Sequence, residues 1–348
     1  MPTIKPPAKV LVTGANGFIA AWVVRVLLEN GFSVRGTVRT ESKSNYLRNL
    51  LKDDVMKGKL EFLVVPDMID PGAFDNAVKG VDAIVHTASP VYLHADDPDE
   101  LIEPAVKGAV GVLESACKYA GPRLKRIIFM SSSGAAINAP YTGTFDERSW
   151  NAGSVAEVTE KGRDASPMAR YRASKTLAEK ATWDFVKRNK QKLTWDLVVT
   201  NPTYVFGPTL SDARTPSDLG TSMFMLYEGV FSYTKTMEER ASYQSEWSDV
   251  RDVAEAQLRA LQTPEASGLR FLLAKEPFNW LDWCGTVNDL KVPGISAPFI
   301  ARGKGSQSQY RLRFDSKKAK TTLPLEFRYS RTETAKDIID EFITRGFL

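Results

Sequence analysis

Two residues that can move a proton, Tyr171 and Lys175, lie four positions apart in the segment ARYRASKTLAEKA. The segment is predicted to be helical, and this spacing places both side chains on one helix face. Free tyrosine titrates near ~10 and free lysine near ~10.4, so neither is an effective acid or base at neutral pH on its own. We expect the Lys175 ammonium to lower the pKa of Tyr171 and so make it a general acid. The alternative is an aromatic side chain packed on a sheet beside a charge.

Hydroxyl groups are expected near this pair. Ser131, Ser132 and Ser133 follow the apolar run at 127–130, which predicts a buried strand, so they fall at its carboxyl end. In parallel sheets ligands gather at that end, and a serine there can hydrogen-bond a substrate oxygen as negative charge builds on it. Other residues expected on the same edge are Asp67, Thr87, Ala88, Ser89, Asn201 and Pro202.

The first 38 residues contain the elements needed to place a nucleotide beside these groups. A strand is predicted at 9–13, a helix at 18–30 and a second strand at 33–38. Between the first two, Gly14 permits a tight turn, Gly17 lets the backbone approach a pyrophosphate, and the small Ala20 keeps the helix close to the sheet. The helix N-terminus offers free N–H groups to that phosphate. This order predicts a dinucleotide site rather than a plain structural turn.

The residues after the second strand favour NADP over NAD. Sites for NAD usually end this strand with an acidic residue, whereas sites for NADP place an arginine nearby. Here Arg39 ends the strand, Lys43 follows four residues later, and Glu41 is the only nearby acid. We expect Arg39 and Lys43 to flank a 2′-phosphate; the alternative is a solvated loop.

The rest of the chain alternates between strand and helix patterns. Strands are predicted within 59–68, 81–90, 126–133 and 194–208, and helices within 71–80 and 100–120. Such alternation predicts an α/β fold, a Rossmann-type doubly wound parallel sheet with a smaller C-terminal lobe. We expect residues 1–200 to form the NADP-binding domain, with a return segment near 245–262. Residues 201–348 should form mainly the substrate-binding lobe.

Composition excludes several classes of function. The 348 residues carry a net charge of only +4, from 46 basic and 42 acidic residues, so no nucleic-acid or membrane partner is indicated. Two cysteines without CxxC spacing argue against a disulfide framework, and the two histidines, His86 and His94, lack a metal-ligand pattern. We expect a soluble, cytoplasmic monomer or homodimer without a metal, in which His86 is a packed residue.

Five motifs in order resemble one family. VLVTGANGFIA, MSSS, YRASK, NPTYVFGP and DVRDVAEA together are similar to the extended short-chain dehydrogenases/reductases, in particular to fungal NADPH-dependent ketone and aldehyde reductases and plant dihydroflavonol reductases. The resemblance assigns catalysis to Ser132, Tyr171 and Lys175, with Ser133 as the fallback for Ser132. It implies further cofactor contacts from Phe18, Ile19, Asp67, Met68, Pro202, Thr203 and Val205. With the residues named above, the expected cofactor site is Gly14, Gly17, Phe18, Ile19, Arg39, Lys43, Asp67, Met68, Thr87, Ala88, Ser89, Pro202, Thr203 and Val205.

The resemblance also implies where a substrate binds. A small C-terminal lobe would close over the nicotinamide, with Val91, Tyr92, Ser133 and Phe206 as substrate contacts. The segment SMFMLYEGVFSY either forms an apolar pocket wall or packs into the core. The expected activity is NADPH-dependent reduction of a ketone or aldehyde to an alcohol, with Tyr171 as proton donor. The alternatives are a nucleotide-sugar epimerase or dehydratase, a sterol-type dehydrogenase, and a non-enzymatic NADP sensor.

Overall fold

A seven-stranded parallel sheet forms the larger part of the computed structural model, which describes residues 3–89, 97–298 and 310–348. Its strands are β1 (Lys9–Thr13), β2 (Ser33–Val38), β3 (Leu60–Val64), β4 (Ala83–His86), β5 (Arg126–Met130), β7 (Asp196–Pro202) and β10 (Arg270–Leu273). Their order in the sheet is β10-β7-β5-β4-β1-β2-β3, and each neighbouring pair is parallel. The predicted fold class is confirmed.

Helices cover both faces of this sheet because its strands are apolar on both sides. Val10 and Val12 of β1 pack with α1 (Phe18–Glu29) and α9 (Val250–Gln262), whereas Leu11 packs with the opposite layer. That second layer contains α4 (Asp99–Tyr119) and α6 (Pro167–Asn189). The shorter helices of this part are α2 (Asn45–Leu50), α3 (Lys52–Met56) and α5 (Ala152–Lys161).

A smaller lobe follows β7 and has its own aromatic core. Its three-stranded sheet contains β8 (Tyr204–Phe206), β9 (Ser245–Asp249) and β11 (Glu276–Phe278). Around it lie α7 (Thr221–Val230), α8 (Met237–Ser242), α10 (Trp280–Asp289) and α12 (Arg331–Arg345). A separate parallel pair is formed by β6 (Gly143–Phe145) and β12 (Leu312–Phe314). Helix α11 (Lys317–Thr322) follows β12 in the chain. The small lobe buries Phe206, Trp247, Phe278, Trp280 and Trp283.

Two predicted features differ from the structure. Residues 71–80 form turns rather than a helix, and Gly72 and Gly80 adopt left-handed φ values of 76° and 71° at either end of the segment. The strand predicted at 194–208 is two strands, β7 in the large sheet and β8 in the small one. Within the return segment expected near 245–262, α9 packs against α1 on the large sheet, and β10 then adds a strand to that sheet.

Candidate active site

A cleft of about 960 Å³ lies where the carboxyl ends of the large sheet meet the small lobe. This volume is within the range of small-molecule and cofactor sites. Every residue predicted to contact the cofactor lines it, as do Ser132, Ser133, Tyr171 and Lys175. Val91 and Tyr92 fall outside the described residues. Phe206 is fully buried among the rings of Trp247, Phe278 and Trp283, so it supports the lobe's core and does not face the cleft.

The turn after β1 is tied to the turn after β4. The Thr13 hydroxyl accepts hydrogen bonds from the Thr87 and Ala88 N–H groups, both at 3.0 Å, and the Thr87 hydroxyl donates to the Thr13 carbonyl. Gly14 has a φ of +64°, and a Cβ added to it would lie 3.2 Å from Ala88. Glycine is therefore required at position 14 for both conformation and space.

The N-terminus of α1 is open to the cleft. Gly17 is its N-cap, and no side chain in the described part of the chain caps it. The first N–H groups of a helix have no intrahelical partner and, with the helix dipole, favour an anion. Phe18 and Ile19 line the cleft at this point. These features fit a pyrophosphate, as the sequence predicts.

The basic residues at the end of β2 are available to a phosphate. Arg39 and Lys43 are exposed, line the cleft and make no ion pair within the described residues. Glu41, the acid between them in the sequence, is paired instead with Arg48 at 2.9 Å. Its carboxylate is thereby occupied, which fits a 2′-phosphate better than a ribose 2′-hydroxyl.

Helix α6 brings the proposed catalytic pair to the cleft. It begins after Ser166, whose hydroxyl accepts from the Ala169 N–H at 3.2 Å. The Lys175 ammonium lies 5.7 Å from the ring centroid of Tyr171 and donates a 2.7 Å hydrogen bond to the Ser89 hydroxyl. Burial lowers the pKa of Lys175 to about 8. The lysine is therefore charged at neutral pH but close to losing its proton.

The pKa of Tyr171 is raised, not lowered as the sequence analysis expected. Burial is the largest cause, and the opposing hydrogen bond from Ser132 and charge of Arg172 do not overcome it. Lys175 loses its proton near pH 8, before a tyrosine with a raised pKa titrates, so its charge is not among the causes of the shift. Tyr171 thus holds its proton at neutral pH, which suits a proton donor more than a base.

Two of the serines after β5 have different side-chain partners. The Ser131 hydroxyl donates to the buried Glu179 carboxylate at 2.7 Å. The Ser132 hydroxyl accepts from the Gly134 N–H at 3.0 Å, and its carbonyl accepts from the Asn201 amide at 3.1 Å. Ser132 is also the serine whose side chain lowers the pKa of Tyr171 against the larger effect of burial. These contacts favour Ser132 over Ser131 as the substrate-facing hydroxyl, and Ser133 lines the cleft beside it.

A buried ion pair supports this corner of the site and was not anticipated. Glu179 and Arg270 are joined at 2.5 Å between Oε1 and Nε, and both are buried. The other carboxylate oxygen of Glu179 accepts from Ser131 and from Asn201, each at 2.7 Å. Glu179 follows Lys175 by four residues, so helical spacing alone places it on the same face of α6. Its partner Arg270 lies 91 residues later, and no local sequence pattern predicts that the two residues meet.

Two tyrosines on the side of the small lobe were not expected from the sequence. Tyr204 and Tyr243 share a hydrogen bond between their hydroxyls, and Tyr204 lines the cleft. Helix α7 serves both purposes considered for its segment, since Ser222 and Met225 line the cleft whereas Met223 is buried in the lobe's core. Tyr204 lies within the motif NPTYVFGP and could have been selected from it.

His86 is a packed residue, as expected. It is buried between Phe74 and Phe129 and shares a 2.9 Å hydrogen bond with the Thr13 hydroxyl. Burial, followed by the charge of Lys175, lowers its pKa to about 3, so the ring is neutral. Across the described residues there is no cluster of side chains able to hold a metal ion, and no helix long and apolar enough to cross a bilayer. His94 lies outside the described residues.

Comparison with known proteins identifies the class. The model of the NAD dependent epimerase/dehydratase family matches residues 10–273, and the chain belongs to that family. It is 36% identical over 276 residues to the ketoreductase azaE of Aspergillus niger, covering 78% of this chain and 79% of that one. It is 31% identical over 345 residues to the NADPH-dependent methylglyoxal reductase GRE2 of Saccharomyces cerevisiae, covering 96% and 98%. The crystal structure of yeast methylglyoxal/isovaleraldehyde reductase Gre2 complexed with NADPH superposes with a TM-score of 0.84 at 30% identity, covering 98% of this chain and 100% of that one.

Proposed function

We propose that the protein is an NADPH-dependent carbonyl reductase that converts a ketone or aldehyde to the alcohol. The observation that carries the proposal is the convergence of Ser132, Tyr171 and Lys175 on one cleft whose far end presents Arg39 and Lys43. Relatives named as an NADPH-dependent reductase and a ketoreductase support it. The proposed compartment is the cytoplasm and the proposed assembly a monomer or homodimer.

The residues that would hold the cofactor follow the cleft from end to end. Arg39 and Lys43 would bind the 2′-phosphate, and the turn from Gly14 with the start of α1 would bind the pyrophosphate. The remaining proposed contacts are Gly17, Phe18, Ile19, Asp67, Met68, Thr87, Ala88, Ser89, Pro202, Thr203 and Val205. The large sheet would thus be the cofactor domain, and residues 201–348, apart from β10 and α9, would mainly form the substrate lobe.

In the proposed reaction the protein supplies position and a proton. Bound NADPH supplies a hydride, with both electrons, to the carbonyl carbon. The Tyr171 hydroxyl gives its proton to the carbonyl oxygen, so that carbonyl, NADPH and one proton become alcohol and NADP⁺. Ser132 hydrogen-bonds the same oxygen as negative charge develops on it. The Lys175 ammonium favours transient phenolate on Tyr171, which is then reprotonated from solvent.

The cofactor assignment is tested by the variant Arg39→Ala/Lys43→Ala. NADPH consumption is followed by absorbance against aldehydes, α-dicarbonyls, β-keto esters and aryl ketones, with NADH in parallel. We expect the double variant to raise the KM for NADPH by roughly 10- to 100-fold, because two charge-assisted contacts are lost, and the KM for NADH by less than about 3-fold. Arg25→Ala removes an exposed arginine that pairs with Glu29 and serves as the control. Equal effects on the two cofactors would contradict the assignment.

The same assay separates a reductase from a sugar-nucleotide epimerase of the same family. A reductase exchanges its cofactor at every turnover, whereas an epimerase regenerates it in place and purifies with it bound. Stoichiometric nicotinamide retained through purification, with no panel compound reduced, would favour the epimerase.

A further inference from the structure

One cation in the cleft has no role in the proposed hydride and proton transfer. Arg172 follows Tyr171 on α6, is half-buried and lines the cleft. A Cβ placed on Gly134 would lie 3.3 Å from Ser132 Oγ, 3.4 Å from Arg172 Cγ and 3.8 Å from Tyr171 Cε1. The stem of Arg172 therefore passes beside both the proposed proton donor and the substrate-facing serine.

The guanidinium is held by an aromatic ring rather than by an acid. It lies 4.6 Å from the ring centroid of Tyr141, in cation–π contact. Within the described residues it makes no ion pair, whereas Arg270 is paired with Glu179, Arg163 with Asp97 and Arg148 with Asp146. The Arg172 charge is thus left available beside the reaction site.

The polar groups facing this charge are neutral. Burial raises the pKa of Tyr204 and of Tyr243, and the Arg172 charge opposes that rise in both, so its field reaches their paired hydroxyls. The Arg172 charge also contributes to lowering the pKa of Glu157, which lies on α5. The Glu157 carboxylate accepts a hydrogen bond from the Ser166 N–H and lies outside ion-pair distance of the Arg172 guanidinium. No group in the described part of the cleft's substrate end neutralises the guanidinium.

We propose that the substrate is an oxo acid, a ketone or aldehyde that also carries a carboxylate, and that Arg172 binds this carboxylate while Tyr171 protonates the carbonyl oxygen. This inference rests on the proposed reductase function and narrows its substrate class. A planar guanidinium matches a carboxylate with two parallel hydrogen bonds. A purely apolar ketone would leave it unused and partly desolvated, which is unfavourable.

The test compares matched substrates rather than absolute rates. Homologous 2-, 3- and 4-oxo carboxylates are assayed beside their methyl esters, which keep the reacting carbonyl but remove the charge. We expect the wild-type kcat/KM of one acid to exceed that of its ester by at least about 10-fold, the magnitude of a charge-assisted hydrogen bond. In Arg172→Gln this acid-to-ester ratio should collapse to near one, mainly through the KM of the acid. Arg172→Lys should restore part of it.

The outcomes distinguish this inference from the proposed function. The control Arg163→Gln removes an arginine already paired with Asp97 and should keep the wild-type ratio. A wild-type enzyme that prefers esters, or an acid-to-ester ratio unchanged in Arg172→Gln, would overturn the oxo-acid assignment and leave the reductase standing. Binding of NADPH without consumption against any acid, ester or neutral ketone would overturn both. A thermal shift with NADPH verifies that each variant is folded.

Discussion

Breaking the ion pair between Glu179 and Arg270 should destabilise the protein far more than breaking an exposed one. Both side chains are buried, at 0% and 8% exposure, so solvent cannot replace a missing partner. Glu179→Gln keeps the shape of the side chain but leaves the Arg270 charge buried without its carboxylate, although Nη1 still donates to the Glu147 and Ser149 carbonyls at 2.8 and 2.9 Å. Arg270→Met leaves the carboxylate, which still accepts from Ser131 and Asn201.

Each charge keeps hydrogen bonds when its partner is removed, so the two single costs should be similar. Removing one member of a buried pair costs about 3–5 kcal/mol. We expect Glu179→Gln and Arg270→Met to fall at the lower end of that range, about 3 kcal/mol each, since hydrogen bonds to the remaining charge compensate part of the loss. The double variant removes both charges, so its cost should be at least about 2 kcal/mol smaller than the sum of the single costs.

Equilibrium unfolding in urea measures the free energy of unfolding of the four proteins of this cycle. Glu29→Gln, which breaks the exposed pair with Arg25, is the matched control and should change stability by less than about 0.5 kcal/mol. Single costs below about 1 kcal/mol, or a double variant whose cost equals their sum, would refute the reasoning. Because Glu179 holds the Asn201 amide that donates to the Ser132 carbonyl, Glu179→Gln should also lower kcat more than Arg270→Met does.

The site supports three further predictions. Because the Lys175 ammonium loses its proton near pH 8, kcat/KM should fall above about that pH, as a pH–rate profile would show. The pKa of Lys175 in the folded protein lies below the 10.5 of an unperturbed lysine, so keeping its charged form buried at pH 7 costs stability. Lys175→Met should therefore raise the free energy of unfolding by about 1–3 kcal/mol, although activity is lost. Gly14→Ala puts a side chain into a left-handed backbone conformation, which costs about 1–2 kcal/mol, and crowds Ala88. A fluorescence titration should therefore show NADPH affinity reduced at least about 10-fold. Unchanged affinity would contradict a need for glycine in this turn.

Local patterns predicted the nucleotide half of the molecule well. Strands β1 and β2 begin and end where expected, and α1 ends one residue early, because alternation and glycine turns act over a few neighbours. The position of Ser132 at a strand end and of Tyr171 beside Lys175 on one helix follow from the same short-range rules. Because ligands bind at the carboxyl ends of parallel strands, these residues can be predicted to lie together without any tertiary information.

The failures share a physical cause: each depends on contacts distant in the sequence. Tyr171 was expected to have a lowered pKa, but how deeply its hydroxyl is buried depends on the elements packed around it. Phe206 was expected to contact the substrate because it follows Asn201 and Pro202 at the carboxyl edge of the large sheet. Strand β8, however, joins the small sheet and places Phe206 in the core of that lobe. Arg172 and Tyr141 meet across 31 residues, so their pairing had no local signature.

The most direct test of the central claim is NADPH consumption by wild-type protein and Tyr171→Phe, assayed side by side with a carbonyl substrate that the wild type reduces. Removal of one hydroxyl leaves the cofactor contacts in place, so NADPH should still bind with similar affinity by fluorescence titration. We predict that kcat falls by at least about 100-fold, the usual contribution of a general acid. Turnover by Tyr171→Phe at the wild-type rate would contradict the assignment of Tyr171 as the proton donor and, with it, the proposed chemistry of this cleft.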